Sequence, residues 1–399
     1  MFISQMALLI ILIIIEILTL AVFRQHFFIV SKTRYNIIVI FNTILSILLW
    51  VIFFKLAGHD SFYDSPDHVW LQMAFAGMMS AVVFPRFILI ITHFSGKIAK
   101  MRSGGHLRWL TNTGLIISSL VLIVIAISSF HGKFNFKYEE VSIEVKGLPA
   151  SLEGLKIVHI SDLHLAGFYH HSDVLPGVIQ RINRYEPDLI VNTGDFVTYG
   201  WREFGRNDTV LSISKSRYGN FAIMGNHDVG TYHPEFTEAD RKNNLRIMKN
   251  LVEASGYKVL IDEFTKIKIG EAQLSIVGVT TRGRHPDFAY GDLDEATAGL
   301  DSSDLTILLT HDPNHWLKQI AGKRPGIQVT FSGHTHGMQM GIMTKKFRWS
   351  PSKYFYPNWN GLYLHDEQVH YVNRGLGVLA IPFRIWMPPE ITIITLSSK

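Results

Sequence analysis

The apolar residues of this chain are concentrated in its first third, where they form long and nearly unbroken runs. Each run approaches the roughly 20 residues that a helix needs to cross a bilayer core. The four runs cover residues 3–23, 37–57, 69–91 and 110–130. Four such runs in so short a stretch are too many for the core of a soluble domain, so the pattern predicts four transmembrane helices.

Two features of these runs need an explanation. The first run could be a cleaved signal peptide, but no basic residue precedes it and it is longer than a typical signal-peptide core. Glu16 and Arg86, the latter next to Pro85, lie at membrane depth, where a charge is costly unless it is paired. An ion pair between helices is the simpler expectation for both, and a role inside the bundle stays open.

Beyond residue 130 the apolar runs become short and alternate with stretches of helical spacing. Strand patterns cover residues 138–145, 155–160, 189–192, 221–224, 273–278, 305–309 and 327–331, and helical patterns cover 174–185 and 238–255. Alternating strands and helices favour an α/β domain with a layered sheet core. We therefore predict a four-helix transmembrane region over residues 1–130 and an α/β domain over residues 131–399.

The distribution of charge along the chain predicts how the transmembrane region is oriented in the membrane. The chain has 399 residues and a net charge of +5, and the whole excess lies in residues 1–130, with nine Lys or Arg and four Asp or Glu. The basic residues cluster in the first and third loops, at positions 24, 32, 34, 97, 100, 102 and 108, whereas the second loop holds Asp60, Asp64 and Asp67. Because basic loops stay in the cytoplasm, the α/β domain is predicted on the extracytoplasmic side of a plasma or inner membrane.

The remaining composition narrows the chemistry. The chain contains no Cys, which excludes disulfides and thiolate metal sites. The α/β part carries 29 charges of each sign. A neutral domain disfavours a nucleic-acid partner, because binding a polyanion usually requires a basic face.

Residue types that ligate metal ions follow five of the predicted strands. In chain order they are Asp162 and His164, Asp195, Asn226 followed by His227 and Asp228, His311, and His334 with His336. Ligands of open α/β sheets collect beyond the carboxyl ends of the strands, so these side chains are expected to meet. Carboxylate, amide and imidazole together suit Mn²⁺, Fe or Zn²⁺. Without His227 and Asp228, these are seven candidate ligands, which are too many for one ion and fit two ions that share a carboxylate.

The blocks DLH, GD, GNHD, H and GHTH, in this order, resemble the signature of the calcineurin-like metallophosphoesterases. Any one block is common, but all five in order, each after an apolar run, are specific. The resemblance covers roughly residues 155–395 and is closest to the membrane-anchored bacterial type, some members of which resemble UDP-diacylglucosamine pyrophosphatases. It implies a layered αββα sandwich. One departure is Met338, where the relatives usually have a second glycine.

The resemblance also implies a role for each residue. The first metal would take Asp162, His164 and His336, and Asp195 would bridge. The second metal would take Asn226, His311 and His334. His227 would not be a ligand; it would stabilise charge on the substrate phosphate or protonate the leaving oxygen. Asp228 would orient His227.

Other features have a plain and a functional interpretation. Arg374, which precedes Gly375 and Gly377, is a candidate phosphate contact or a structural residue. Lys345, Lys346 and Arg348 form a basic run that could meet lipid phosphate or simply face solvent. Nearby aromatic residues predict either packing or a membrane-interface surface over an apolar substrate; they are Trp349, Tyr354, Phe355, Tyr356 and Trp359.

The sequence thus predicts a membrane-anchored phosphohydrolase with two divalent ions of Mn, Fe or Zn. It would cleave a phosphoester or pyrophosphate bond of a small or lipid-linked substrate through a hydroxide that bridges the metals. One alternative is a catalytically silent membrane receptor or scaffold that binds a metal-phosphate ligand. Retention of all seven ligands and His227 disfavours it. The other alternative is a dimetal nuclease, which the neutral α/β part disfavours.

Overall fold

The computed structural model describes residues 2–28, 30–103, 108–281, 291–301, 304–344 and 346–399. The chain forms two compact units. The first comprises Met1–Asp60, Leu71–Phe130 and Ala380–Phe383, and the second comprises Ser61–Trp70, His131–Leu379 and Arg384–Lys399. The short segment between the second and third helices therefore belongs to the second unit.

Within the described residues, four helices are long and apolar enough to span a membrane, as the sequence predicts. They are α1 (Phe2–Phe23), α2 (Lys32–Ala57), α3 (Pro66–Ser103) and α4 (Arg108–Phe130). A short π-helical turn, Arg24–Phe28, continues α1. At the start of α2, the Ser31 hydroxyl accepts a hydrogen bond from the Arg34 backbone N–H, which satisfies one of the free donors of the first turn.

The two ionisable residues at membrane depth are paired with each other. Arg86 Nη1 of α3 lies 2.5 Å from Glu16 Oε2 of α1. Two side chains of α2 complete the network, because Asn42 donates to Glu16 at 2.7 Å and Ser46 donates at 2.6 Å. Each charge has partners, so the cost of holding it in an apolar surrounding is offset. This geometry supports the expectation of an inter-helix ion pair.

The second unit contains two mixed sheets. The strands are β1 (Lys137–Val145), β2 (Lys156–Ile160), β3 (Leu189–Asn192), β4 (Asn220–Ala222), β5 (Tyr257–Val259), β6 (Glu263–Ile269), β7 (Ala272–Val279), β8 (Leu305–Thr310), β9 (Val329–Ser332), β10 (Ile342–Met343), β11 (Arg348–Trp349), β12 (Gly361–His365), β13 (Gln368–Val372) and β14 (Glu390–Ser398). One sheet has the order β1-β14-β2-β3-β4-β5 and the other β12-β13-β9-β8-β7-β6. Strands β2 to β5 run parallel, as do β7, β8, β9 and β13.

Helices cover the outer faces of the two sheets. They are α5 (Val174–Asn183), α6 (Asn207–Leu211), α7 (Glu238–Ala254), α8 (Leu293–Ala296) and α9 (Pro313–His315). Helix α7 begins at a capping box, in which Thr237 accepts from the Asp240 backbone N–H and the Asp240 carboxylate accepts from the Thr237 N–H. It buries Met248 and Val252 on the face toward the sheet.

Three apolar clusters define the layers. The central cluster joins Ile157 and Val191 of one sheet with Ile307 and Phe331 of the other, so the sheets pack face to face. A second cluster lies between the first sheet and α5 and α7, and a third lies between the second sheet and the region of α8 and Trp316. The αββα sandwich implied by the resemblance is confirmed. Strands β2, β3, β4, β8 and β9 deliver the candidate ligands at their carboxyl ends.

Candidate metal centre

The first group of candidate ligands lies beyond β2 and β9. Asp162, His164 and His336 are buried, and one ligating atom of each lies within 4.8 Å of the other two. His164 Nε2 faces His336 Nε2 at 3.1 Å, and His336 Nε2 lies 3.2 Å from Asp162 Oδ1. Two imidazole nitrogens and a carboxylate oxygen that converge in this way suit a divalent cation.

The second group lies beyond β3, β8 and β9. Ligating atoms of Asp195, His311 and His334 also lie within 4.8 Å of one another. Asp195 Oδ2 is 3.0 Å from His311 Nε2 and 3.9 Å from His164 Nε2 of the first group. The Asp195 carboxylate is therefore within reach of both groups, which is the position that a bridging ligand requires.

The hydrogen-bonding state of these residues tests whether they fit metal ions. Among the candidate ligands, three buried atoms have no partner in hydrogen-bond geometry: Asn226 Oδ1, His334 Nδ1 and His311 Nε2, the last of which lies beside the Asp195 carboxylate. The opposite atom of each side chain is engaged, since Asn226 Nδ2 donates to Tyr232, His311 Nδ1 lies 2.7 Å from the Thr193 carbonyl and His334 Nε2 lies 2.8 Å from the Tyr356 hydroxyl. Buried polar atoms are rarely left unsatisfied, so these three fit a cation.

The electrostatics at Asp195 and His334 favour the protonation states that metal ligation requires. Burial would raise the pKa of the Asp195 carboxyl, but His311 and His227 hold that pKa below its usual value. Burial, together with His311, lowers the pKa of His334 to about 4. Burial would likewise lower the pKa of His311, but Asp195 and Asp162 raise it to about 10. The negative field at His311 Nε2 therefore favours a positive charge, which a bound ion would supply.

Five of the candidate ligands adopt a left-handed backbone conformation. Their φ angles are 52° for Asp162, 41° for His164, 58° for Asp195, 70° for His334 and 49° for His336. This conformation costs a residue other than glycine on the order of 1 kcal/mol, and it concentrates at functional sites. Met338 also has a positive φ, 46°, a backbone conformation that glycine adopts at lower cost.

Two glycines leave room for the ligand carboxylates. A Cβ atom at Gly225 would lie 2.8 Å from both the Asp195 Cγ and the Asp195 backbone nitrogen. A Cβ atom at Gly333 would overlap Asp162 and Ser161. Such distances are too short for real contacts, so any larger residue would displace a candidate ligand.

His227 lies beside the two groups and is oriented by Thr198. His227 Nδ1 is 2.6 Å from the Thr198 carbonyl oxygen, which can only accept, so Nδ1 carries the proton and Nε2 is left for substrate. The Tyr232 ring stacks on the His227 ring, with centroids 4.3 Å apart. Thr198 also contacts the first group, because its hydroxyl lies 3.2 Å from His164 Nδ1. Sequence reasoning missed Thr198 and Tyr232, since neither belongs to a ligand block.

Asp228 does not orient His227, contrary to expectation. Its carboxylate accepts hydrogen bonds from the backbone N–H groups of Asp195, Phe196, Val197 and Gly225, at 2.7 to 3.2 Å. The structural reason is that the turns after β3 and β4, which carry Asp195 and Asn226, have free backbone N–H groups, and the Asp228 carboxylate satisfies them. Burial, with a contribution from Asp195, raises its pKa to about 7.

Arg374 is a structural residue and not a phosphate contact. Its Nε lies 3.0 Å from Glu390 Oε2 and its Nη2 lies 2.9 Å from Glu139 Oε1, and the side chain is buried. Arg384, which sequence reasoning did not single out, is also buried and donates to the carbonyls of Gly375 and Gly377. Its Nη2 lies 3.3 Å from His336 Nδ1. The two arginines thus hold the chain behind the first ligand group.

The aromatic segment predicted beside the site is connected to it directly. The Tyr356 hydroxyl contacts His334, and Tyr356, Trp359 and Met387 form a small buried cluster. Their chain neighbours are exposed: Tyr354 by 70%, Phe355 by 63% and Trp386 by 68%. Of the basic run, Lys346 and Arg348 are exposed, and Lys345 lies outside the described residues. Part of the segment therefore packs, as the plain interpretation predicts, and part is exposed, while the membrane-interface interpretation stays a prediction.

A four-layer sandwich with two neighbouring groups of carboxylate and imidazole at one edge defines a metal-dependent hydrolase. A model of the calcineurin-like phosphoesterase family matches residues 155–338. The metallophosphoesterase YkuE of Bacillus subtilis is 31% identical to this chain, over 65% of this chain and 85% of its own length. The chain therefore belongs to the calcineurin-like phosphoesterase family, and it is a metal-dependent phosphoester hydrolase with a transmembrane anchor.

Two further relatives support the family, and one of them is a membrane protein. A transmembrane protein with a metallophosphoesterase domain from Danio rerio is 29% identical, over 84% of this chain and 75% of its own length. The UDP-2,3-diacylglucosamine pyrophosphatase LpxG of Chlamydia muridarum is 28% identical, over 61% of this chain and 84% of its own length. The predicted family is confirmed by these relatives, and the first of them is named as a transmembrane protein.

Proposed function

We propose that this protein hydrolyses a phosphoester or pyrophosphate bond of a lipid-linked or envelope phosphate, outside the cytoplasm. The proposal assigns residues 1–130 as the membrane region and 131–399 as the catalytic domain. One ion would be held by Asp162, His164 and His336, the other by Asn226, His311 and His334, with Asp195 between them. The observation that carries the assignment is the reach of Asp195 to both groups.

When bound, the two ions would neutralise phosphoryl charge and acidify water, which are the two requirements of phosphate hydrolysis. The side chains of this protein do the rest. His227 presents Nε2 toward the space beside the ligands, while Thr198 fixes its ring. Burial lowers the pKa of His227 from its usual value, with Asp195 acting in the opposite direction. A bound phosphate would add negative charge next to the ring and favour the protonated form, which can donate to the leaving oxygen.

A lipid-linked substrate is supported by the surface next to this site. We use the term aromatic rim for the exposed residues Ile342, Phe347, Tyr354, Phe355 and Trp386. The rim borders Tyr356, which contacts His334, and the exposed residues Lys346 and Arg348 lie next to Phe347 of the rim in the chain. Trp and Tyr favour the interface between water and lipid, and basic residues favour lipid phosphate. The LpxG relative, named for a diacylated substrate, supports the same class.

Substitutions in the aromatic rim should lower the hydrolysis rate of lipid-linked substrates more than that of soluble substrates. In a Phe355→Ser/Trp386→Ser variant, hydrolysis of a diacylated pyrophosphate in mixed micelles should fall about tenfold or more. The physical reason is the loss of roughly 1.5 kcal/mol or more of apolar contact per ring. Hydrolysis of bis(p-nitrophenyl) phosphate by the same preparation, with Mn²⁺, should stay within about twofold of the unmodified protein.

Leu364→Ser is the matched control, because Leu364 is also a 68% exposed apolar residue but lies on β12, away from the aromatic rim. It should leave both rates unchanged. Equal loss on the lipid-linked and soluble substrates in the rim variant would contradict the lipid proposal. If the unmodified protein and Asp195→Ala were equally inert on both substrates, the hydrolytic proposal itself would fail.

Because the chain has no cysteine, single introduced cysteines can test on which side of the membrane the catalytic domain lies. A Lys399→Cys variant, at the exposed end of the catalytic domain, should react with a membrane-impermeant maleimide in intact spheroplasts. An Arg24→Cys variant, in the basic first loop, should react only after permeabilisation. Basic loops retained in the cytoplasm are the physical reason for this difference. The reverse labelling pattern would place the catalytic domain in the cytoplasm.

A further inference from the structure

The segment Ser61–Trp70 comprises the end of the loop after α2 and the beginning of α3, and it folds as part of the catalytic unit. We call it the interhelical segment. Sequence reasoning used its aspartates only as a charge signal. In the structure the Asp64 carboxylate is fully buried, in a space formed by Gly200, Arg202 and His233. A buried carboxylate is costly unless it is paired and hydrogen-bonded, so the contacts of Asp64 need to be specific.

Asp64 is held by a charged partner and by the backbone. Arg202 Nη1 donates to both of its oxygens, at 3.1 and 3.3 Å, and the Arg202 backbone N–H donates to Oδ2 at 3.4 Å. His233 Nε2 lies 3.8 Å from Oδ1. The neighbouring Phe62 ring lies under the Arg202 guanidinium, 4.0 Å from its central carbon. Hydrogen bonds to a charged group are roughly twice as strong as neutral ones.

The opposite wall of this space is shaped for the carboxylate. A Cβ atom at Gly200 would lie 2.5 Å from Asp64 Oδ2 and 3.1 Å from its Cγ, so only glycine leaves room. Tyr63, next to Asp64, packs edge-on against Tyr199 with centroids 4.8 Å apart. The interhelical segment therefore contacts three positions of one loop: the ring of Tyr199, Gly200 and Arg202.

These positions continue the loop that orients the catalytic centre. Thr198, one residue before Tyr199, fixes His227 through its carbonyl and contacts His164 through its hydroxyl. The Glu203 carboxylate ties the loop from the other end, since it accepts the backbone N–H groups of Thr198 at 2.8 Å and Tyr199 at 2.5 Å. Asp64 and Glu203 thus hold the same short loop from two sides.

We propose that Asp64 is a positioning residue of the catalytic centre, acting through Gly200 and Arg202 on Thr198 and thereby on His227. The inference rests on the proposed hydrolytic function and assigns part of the site to the segment that joins two membrane helices. A displacement of about 1 Å in a catalytic group can lower a rate by about a hundredfold. Loosening the loop should therefore impair the protonation step and leave the metal ligands in place.

The test compares Asp64→Asn with Asp60→Asn in the full-length protein. Asp64→Asn keeps the side-chain shape but removes the charge, and Asp60 is an exposed carboxylate of the same loop. For an alkyl phosphate, whose leaving group needs a proton, kcat of Asp64→Asn should fall about tenfold or more, with KM and bound metal unchanged. For p-nitrophenyl phosphate, a good leaving group, the loss should be at most about threefold. Asp60→Asn should match the unmodified protein throughout.

A second measurement does not depend on turnover. Hydrogen exchange of the backbone amides of Thr198 and Tyr199 should be at least about tenfold faster in Asp64→Asn than in Asp60→Asn. Unchanged exchange and unchanged kcat, equal losses on both substrates, or loss of metal would each overturn the assignment. If the unmodified protein hydrolysed neither substrate, the proposed function would fail, while the exchange comparison would still decide whether Asp64 holds the loop.

Discussion

Asp195→Ala should lower hydrolysis of any phosphate substrate by about a thousandfold or more. The ions would supply several kcal/mol of stabilisation, and Asp195 is the carboxylate within reach of both candidate ligand groups. Its Oδ1 also accepts the His227 backbone N–H at 2.9 Å, so the substitution removes an anchor of the proposed proton donor as well. Initial rates with bis(p-nitrophenyl) phosphate and elemental analysis of bound Mn, Fe and Zn would measure both effects.

Two variants separate charge from shape at this position. Asp195→Asn keeps the volume but removes the charge, and it should show most of the same loss, because a neutral amide cannot balance two divalent ions. Asp173→Ala is the control, since Asp173 is an exposed carboxylate just before α5 and makes no capping hydrogen bond. Full activity and full metal content in Asp195→Ala would show that the bridging assignment is wrong.

His227→Gln should lower kcat by about 10²- to 10⁴-fold while the protein keeps its metal. His227 belongs to neither group of converging ligand atoms, so its removal should leave the ions bound. The loss should grow as the leaving group becomes more basic, because the residue would donate the proton to the leaving oxygen. A series of aryl and alkyl phosphates, with bound metal measured on the same samples, tests this dependence.

The matched control for this prediction is His365→Gln. His365 is an exposed histidine on β12, far along the chain from the ligand blocks, and its replacement should leave rates and metal content unchanged. Metal loss in His227→Gln would identify His227 as a ligand. A loss of activity that did not vary with the leaving group would indicate charge stabilisation without proton transfer.

The strand ends could be predicted because the hydrophobic pattern of the chain changes there. The predicted strand at residues 189–192 is observed unchanged as Leu189–Asn192, and the predicted strand at 155–160 begins one residue later, at Lys156. Each is an apolar run followed by metal-ligand residue types. Since parallel strands end at a common edge, local pattern alone was enough to expect that Asp162 and Asp195 meet.

The parts that sequence reasoning missed depend on contacts between distant residues. Asp228 follows His227 directly and therefore looked like its partner, but its carboxylate accepts from the backbone of the turns that follow β3 and β4. Arg374 precedes Gly375 and was therefore a candidate phosphate contact, yet it pairs with Glu139 and Glu390. Left-handed backbone at five candidate ligands has no signature in residue type.

The interhelical segment has a consequence for how the protein is made. Ser61–Trp70 leaves the ribosome before every strand of the α/β domain, so that domain folds against a segment whose two flanking helices have already entered the membrane. A catalytic domain released from those helices would carry every candidate ligand but lack the carboxylate that fills the space beside Gly200. On the proposed assignment, full activity would be acquired only when the domain and the interhelical segment are joined. A released catalytic domain would be a weak hydrolase.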